Sequence, residues 1–393
     1  MRIAKLFVVM GLLSATSFAT TRNPIGEFSQ SGDNEVVALS AYDGVVAVSY
    51  RANGYMNTIQ LFENTGTWQQ IATLTISDGN AAVVSLVLTG GYLVAGAYDT
   101  VSFEGAAYIF VKLPNGWQST METAILLPSD PEQASGFGTS VAAYGPTVVV
   151  GAVYAGATMA GAAYVYQEPT SGWVDATETA QLTASDGQSW YNFGLVAMSG
   201  IVGGDGSEVA VAASGYGPQG QPTGAVYVFQ EPAGGWKNMT QTARLTNGGE
   251  KKGDFLGYTV AISSGIIVSG TVTTDQIGEL AVFVKPQSGW VDSSDPAALL
   301  TDPSGFGIGD SVGITQSGLQ VVACCGTSFR HRRIDLAYLF TQPKTGWGNE
   351  ATASFKLKLP EPGNYAQNVA ITKGFAAVGT LSNPAVTYIF AAQ

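Results

Sequence analysis

The chain of 393 residues carries 29 acidic against 17 basic side chains, a formal net charge of −12, one histidine and two cysteines. An acidic chain repels phosphate backbones, which argues against nucleic acid as a partner. A single histidine excludes multi-histidine metal centres, and two adjacent cysteines, Cys324-Cys325, cannot build a disulfide framework and read as small buried residues. With 50 glycines and 12% charged residues, the composition is that of a β-rich protein with many tight turns.

The first elements are those of a secretory signal peptide over residues 1–19. Arg2 and Lys5 give a positive start, Leu6 to Leu13 an apolar run, and Ser17-Phe18-Ala19 a small-x-small cleavage site. The run is too short for a spanning helix, which needs about 20 apolar residues, and no later segment is long and apolar enough to span. The expected location is therefore outside the cytoplasm, extracellular or periplasmic, with residues 20–393 as one mature domain.

A short aromatic strand then recurs seven times: TIQLF (58–62), AAYIF (106–110), AAYVY (162–166), AVYVF (225–229), LAVFV (280–284), LAYLF (336–340) and VTYIF (386–390). Six copies are followed within six or seven residues by a tryptophan: Trp68, Trp117, Trp173, Trp236, Trp290 and Trp347. Their spacing of 49 to 63 residues matches one four-stranded propeller blade. In the third unit, strands are expected at 137–145, 147–152, 161–167 and 179–185. The Pro-x-x-Gly turn at 169–172 joins the last two, because proline presets the turn and glycine relaxes it. No segment carries sustained helical periodicity. The last unit stops after its third strand, whereas NPIGEFSQSGD (23–33) resembles ETAQLTASDG (178–187). The N-terminal strand is therefore expected to complete the last blade. The fold class is all-β: a seven-bladed β-propeller of four-stranded antiparallel blades, closed by the N-terminal strand so that sheet edges are not left exposed.

The stretch SGFGTSVAAYGPTVVVGA (135–152) resembles the FG-GAP repeat of integrin α heads and of many secreted bacterial proteins. The Phe-Gly half stands at Phe137-Gly138, Phe193-Gly194 and Phe306-Gly307, with Phe255-Leu256-Gly257 as a variant; the Gly-Ala half stands at Gly96-Ala97 and Gly151-Ala152. The first, second and last units lack the Phe-Gly. The resemblance implies the seven-bladed propeller. It also implies calcium loops of the form D-x-N/D-x-D-G-x-x-D, which GIVGGDGSEVAV (200–211) fits only at Asp205-Gly206, with Glu208 one residue early. Asp205 and Glu208 are weak metal candidates, since calcium needs several oxygens in one loop; no cofactor is expected, and integrin-like adhesion is not carried over.

No hydrolase constellation stands out. The one histidine sits in SFRHRRID (328–335). Paired carboxylates at the central channel, as in propeller glycosidases, form the runner-up reading, with Asp310 the acid nearest such a position. A calcium-stabilised adhesion head is the third.

The favoured reading is geometric. In a four-stranded meander the connections after the second and fourth strands share one face, and here they are long and variable. Binding commonly resides on loops held by a rigid scaffold. This loop face collects Tyr98 and Phe103, Tyr154, Trp190 and Tyr191, Tyr216, Phe329, Arg330, His331, Arg332 and Arg333, and Tyr365. Trp190 is the tryptophan that the repeat leaves unexplained, and Trp, Tyr and Arg dominate binding hot spots. The arginine cluster, with Lys251-Lys252 on a neighbouring loop, could accept a carboxylate or sulfate. Asn238-Met239-Thr240 is a glycosylation sequon. The expected function is a secreted, non-catalytic binding module, monomeric in the sense that a closed ring leaves no edge demanding a partner, with an extracellular protein or glycan as ligand.

Overall fold

The computed structural model describes residues 19–30, 35–51, 57–79, 81–98, 104–131, 135–187, 193–200, 207–214, 216–217, 221–222, 224–247, 256–271, 278–301, 308–324 and 335–393. These residues form strands and turns with no α-helix, and among them no helix is long and apolar enough to cross a membrane.

The strands make seven antiparallel blades in chain order. Blade 3 has Phe137–Tyr144, Thr147–Ala152, Ala162–Gln167 and Ala180–Thr183 from the axis outward, close to the expected bounds. The inner strands of the other blades are Glu35–Tyr42, Ala82–Leu88, Phe193–Gly200, Thr259–Ser263, Ser311–Ile314 and Tyr365–Thr372. Each packs beside the next, and the first packs beside the last, so the ring closes. In blade 7 the outermost strand is Gly26–Gln30, paired antiparallel to Ala385–Ala391 from Gly26↔Ile389 to Gln30↔Ala385. The closure read from residues 23–33 is the one observed.

Local chemistry explains the turns. First and second strands meet in hairpins; at Asp43-Gly44 and Ser264-Gly265 both central residues have positive φ, the backbone that matches the twist of two-residue hairpins. The Pro-x-x-Gly turns close with bonds from Gly172 N to Pro169 O and from Gly235 N to Pro232 O, both 2.9 Å. Second strands are covered on both faces: every residue of Thr147–Ala152, Ser207–Ala213 and Ile266–Thr271 is buried, as their continuous apolar character requires.

The described core divides into seven clusters, one at each seam between neighbouring blades. At the seam of blades 2 and 3, Phe137 is fully buried and meets Tyr164 edge-on, centroids 5.5 Å apart; Phe193 meets Tyr227 in the same way at 5.4 Å. The glycine that follows is a packing requirement. A methyl on Gly151 would lie 1.7 Å from Gly194 O, and one on Gly96 would lie 2.2 Å from Gly138 O. The Gly of one Phe-Gly therefore abuts the Gly of the preceding blade's Gly-Ala. Blade 6 corrects the sequence reading. Ile308-Gly309 takes this position, with Ile308 fully buried and Gly309 against Gly270; Phe306-Gly307 lie outside the described residues. In blade 5 the pair is Leu256-Gly257.

The outer rim is clasped. Thr120–Met121, Met239–Thr240, Asn349–Thr352 and Thr20–Arg22 each lie parallel to the outer strand of the preceding blade. Two residues after each of four tryptophans, a side-chain oxygen accepts a backbone N–H of that strand: Ser119 from Thr73 (3.0 Å), Asp175 from Ile125, Asn238 from Gln181 and Asp292 from Arg244 (each 2.8 Å). Five residues after the tryptophan, Glu122, Glu178 and Gln241 accept from Ser77, Ser129 and Ser185. Four of these acceptors are carboxylates, Asp175, Asp292, Glu122 and Glu178, and they satisfy strand edges that would otherwise invite foreign pairing.

Candidate functional site

The meander sends the connections after second and fourth strands to one face of the disc and the hairpins and Pro-x-x-Gly turns to the other. On the loop face, Phe103, Trp190, Tyr191, Phe329, Arg330, His331, Arg332 and Arg333 lie outside the described residues, as do Lys251, Lys252 and Asp205. Three of the remaining candidates sit on consecutive blades. Tyr98 ends the second strand of blade 2, opposite Gly105. Tyr154 stands in the 153–161 connection of blade 3, half-buried, its amide bonded to Ser135 O at 3.1 Å. Tyr216 belongs to a small ladder with Pro222 in blade 4. Tyr365 opens the inner strand of blade 7.

Glu208 lies inside the strand Ser207–Ala213 and is 1% exposed. Its Oε1 accepts from Lys285 Nζ at 2.6 Å, which ties blade 4 to blade 5. A buried carboxylate needs such a counter-charge. Among the described residues no group of three or more His, Cys, Asp or Glu converges. Cys324 is fully buried at the seam of blades 6 and 7; Cys325 lies outside the described residues.

The axial channel is narrow, 340 Å³, and lined by short stretches of all seven inner strands. Hydroxyls and an amide lace these strands together. Ser85 Oγ donates to Gly138 O (2.9 Å), Val196 N donates to Ser140 Oγ (3.1 Å), Val369 N donates to Ser311 Oγ (3.1 Å), and Asn368 Nδ2 donates to Val36 O (2.7 Å). Asp310 is the carboxylate among the described lining residues; after desolvation, its charge is the second cause that raises the neighbouring Tyr258 phenol above its ordinary pKa.

A second concavity, which the sequence reading missed, opens on the hairpin face. It has a volume of 840 Å³ and is built by blades 1, 2, 3, 5 and 6. Tyr42 and Tyr144 close their inner strands at equivalent places; Tyr42 is half-buried and Tyr144 is 51% exposed. Behind them Tyr92 and Trp173, both buried, meet edge-on at 5.4 Å, with the Tyr92 hydroxyl donating to Gly145 O at 2.8 Å. Glu168, beside the Pro-x-x-Gly turn, has its carboxyl pKa raised by partial burial. Burial, and then the Glu168 charge, push the Tyr92 phenol well above the ordinary tyrosine range.

Residues 120–166 match the FG-GAP repeat. The window runs from the rim of blade 2 through the first three strands of blade 3, and it contains Phe137-Gly138 and Gly151-Ala152. The FG-GAP signature is thus the seam contact described above: an aromatic wedge followed by glycine, fitted to the Gly-Ala of the neighbouring blade. In structure the chain is similar to the WD40 β-propeller domain of Doa1, with a TM-score of 0.58 and 13% identity over 94% of this chain and 97% of that one. It is also similar to the C-terminal WD40 domain of Sif2, with a TM-score of 0.55 and 11% identity over 95% and 99%. Identities this low speak for the fold alone. No curated protein matches the sequence.

Proposed function

We propose that the chain is a secreted, non-catalytic binding module that presents its loop face to an extracellular protein or glycan. A propeller with an FG-GAP repeat is a binding and interaction scaffold. The observation that carries the finer reading is the asymmetry of the disc. On one face several hairpins have two-residue turns, as at Asp43-Gly44 and Ser264-Gly265, and the longer turns between third and fourth strands, such as 168–179, are clasped to the neighbouring blade by Asp175 and Glu178. On the other face the connections run long, from 153 to 161 in blade 3 and from 325 to 335 in blade 6. A rigid ring with variable loops gathered on one face suits recognition, and the aromatic and arginine-rich composition of those loops suits a hot spot. Export rests on the leader-like residues 1–19.

The test is binding of residues 20–393 to an array of glycans and extracellular-matrix proteins, with Trp190→Ala alongside. A specific hit that Trp190→Ala removes while the fold stays intact supports the loop face around blade 4. A hit that Trp190→Ala leaves unchanged moves the contact away from that loop, with the arginine segment 328–335 the next to substitute. No hit sends attention to Asp310 in the channel.

A further inference from the structure

We propose that the bowl on the hairpin face is a saccharide-binding site, taking a neutral sugar unit between the phenol rings of Tyr42 and Tyr144 with Glu168 as a hydrogen-bond acceptor. This site lies on the face opposite the variable loops and stands independently of the loop-face reading.

Three features of the bowl select the ligand chemistry. The first is the balance of donors and acceptors. Thr89 Oγ1 donates to Tyr92 O at 2.7 Å, and the hydroxyls of Ser263 and Ser264 both donate to Gln316 O, at 2.8 and 2.7 Å. The two serine hydroxyls spend their protons inside the protein and keep oxygen lone pairs for a ligand, whereas Thr89 Oγ1 also accepts from Tyr92 N at 3.0 Å and Gly91 N at 3.3 Å and is spent within its turn. With the Glu168 carboxylate, the rim is therefore rich in acceptors, and its complement is a molecule rich in O–H donors.

The second feature is charge. No lysine or arginine is among the described residues lining the bowl, so an anion would enter without a partner charge, at a cost. A quaternary ammonium would need several aromatic faces converging on it. Tyr92 and Trp173 are each at most 7% exposed and cover one another, which leaves the exposed Tyr144 ring and the half-buried Tyr42 ring rather than a cage. The third feature is those two rings. The exposed Tyr144 ring and the open side of the half-buried Tyr42 ring offer platforms for the C–H faces of a pyranose, while the ring hydroxyls of the sugar reach the acceptor rim. Gly90 makes room for this arrangement: a methyl there would press on the Tyr42 ring at 3.3 Å. The volume of 840 Å³ falls in the range of small-molecule sites, about 300–1,000 Å³, and accommodates a short oligosaccharide.

The test uses the mature chain with a panel of neutral oligosaccharides of two to four units, cello-, xylo-, manno- and chito-oligosaccharides, followed by saturation-transfer NMR and calorimetry at millimolar ligand. At least one series is expected to bind. Tyr144→Ala, at an exposed position that leaves the core untouched, is expected to weaken it by about tenfold. Glu168→Ala weakens it, and Glu168→Gln, which retains an acceptor oxygen, stays within about twofold of the parent. Tyr154→Ala and Trp190→Ala, on the other face, leave it unchanged. The proposal is overturned if no series binds, if binding survives Tyr144→Ala, if a loop-face substitution abolishes it, or if tetramethylammonium displaces or replaces the sugar. A loop-face ligand found on the array is unaffected by Tyr144→Ala, so the two readings fail separately.

Discussion

The seam between blades 2 and 3 and the seam between blades 6 and 7 solve the same packing problem with different chemistry. In the first, Trp173 from the turn between third and fourth strands is buried against Tyr92, which begins the second strand of the preceding blade. Trp117, Trp236, Trp290 and Trp347 are similarly buried at their own seams. In blade 7 no turn joins the third and fourth strands, because Ala385–Ala391 pairs with Gly26–Gln30 from the far side of the sequence. Its place is taken by polar bonds. Gln320, at the start of the second strand of blade 6, donates to Ala392 O; Arg22 donates to Ala391 O and Gln393 O, and its guanidinium lies 3.3 Å from the Phe355 ring centroid. A covalent turn can carry an apolar wedge. Two segments with no turn between them need directed bonds to hold them in register, and a planar guanidinium with several donors can hold two carbonyls at once.

The comparison is broken most severely by removing the closing strand. Deleting residues 20–30 takes away the five-residue ladder from Gly26↔Ile389 to Gln30↔Ala385. It also removes Phe28, stacked on Phe62 at 3.9 Å, and leaves Ala385–Ala391 as an open edge. Loss of the monomeric fold is expected, seen as aggregation or a collapsed thermal transition, with recovery when a peptide of residues 19–30 is added. A truncated chain that melts like the parent would mean that blade 7 does not depend on the N-terminus. Next in size is Trp290→Ala. Trp290 is 5% exposed at the seam of blades 4 and 5, and truncation there is expected to cost about 3–5 kcal/mol, measured by chemical denaturation. A loss below about 1 kcal/mol would show that the seam tryptophans are dispensable wedges.

The seams were legible in the sequence because each is written several times. The period of the aromatic strand and its tryptophan gave the blade count, and the likeness of residues 23–33 to 178–187 gave the closure. Where a unit departs from the signature, the reading slipped: Phe306-Gly307 carries the motif letters, yet Ile308-Gly309 fills the seam, because position relative to Gly270 and Gly278 decides the fit rather than residue type. The clasp residues two places after four of the tryptophans and five places after three of them were also periodic, and their polar character alone could have shown them. The bowl was not legible in this way. Its rings and hydroxyls come from turn positions of five blades, and each in isolation reads as hairpin punctuation. Only Tyr42 and Tyr144, at the same place in two units, hint at it. The loop-face candidates are legible as composition but not as geometry, since variable connections carry no repeat from which to infer position.

The smallest expected effect sharpens the comparison most. If Arg22 does at the chain ends what tryptophan does elsewhere, Arg22→Ala should cost about 1 kcal/mol, the scale of an exposed cation–π contact, well below the effect of Trp290→Ala. The loss should also be local. Amide hydrogen exchange in Ala385–Ala391 and in Phe355–Lys358, the strands that Arg22 bridges, should accelerate, while blades 2 to 4 keep their protection, because partial opening frees only the unit whose contacts are lost. Arg22→Lys keeps the charge but has a single ammonium in place of the fork, so it should recover part of the stability and little of the protection at the C-terminus. Equal recovery by lysine would make Arg22 a simple point charge. Unchanged exchange in Arg22→Ala would assign closure to the Gly26–Gln30 ladder alone, with the two chain ends adding nothing to the seam they face.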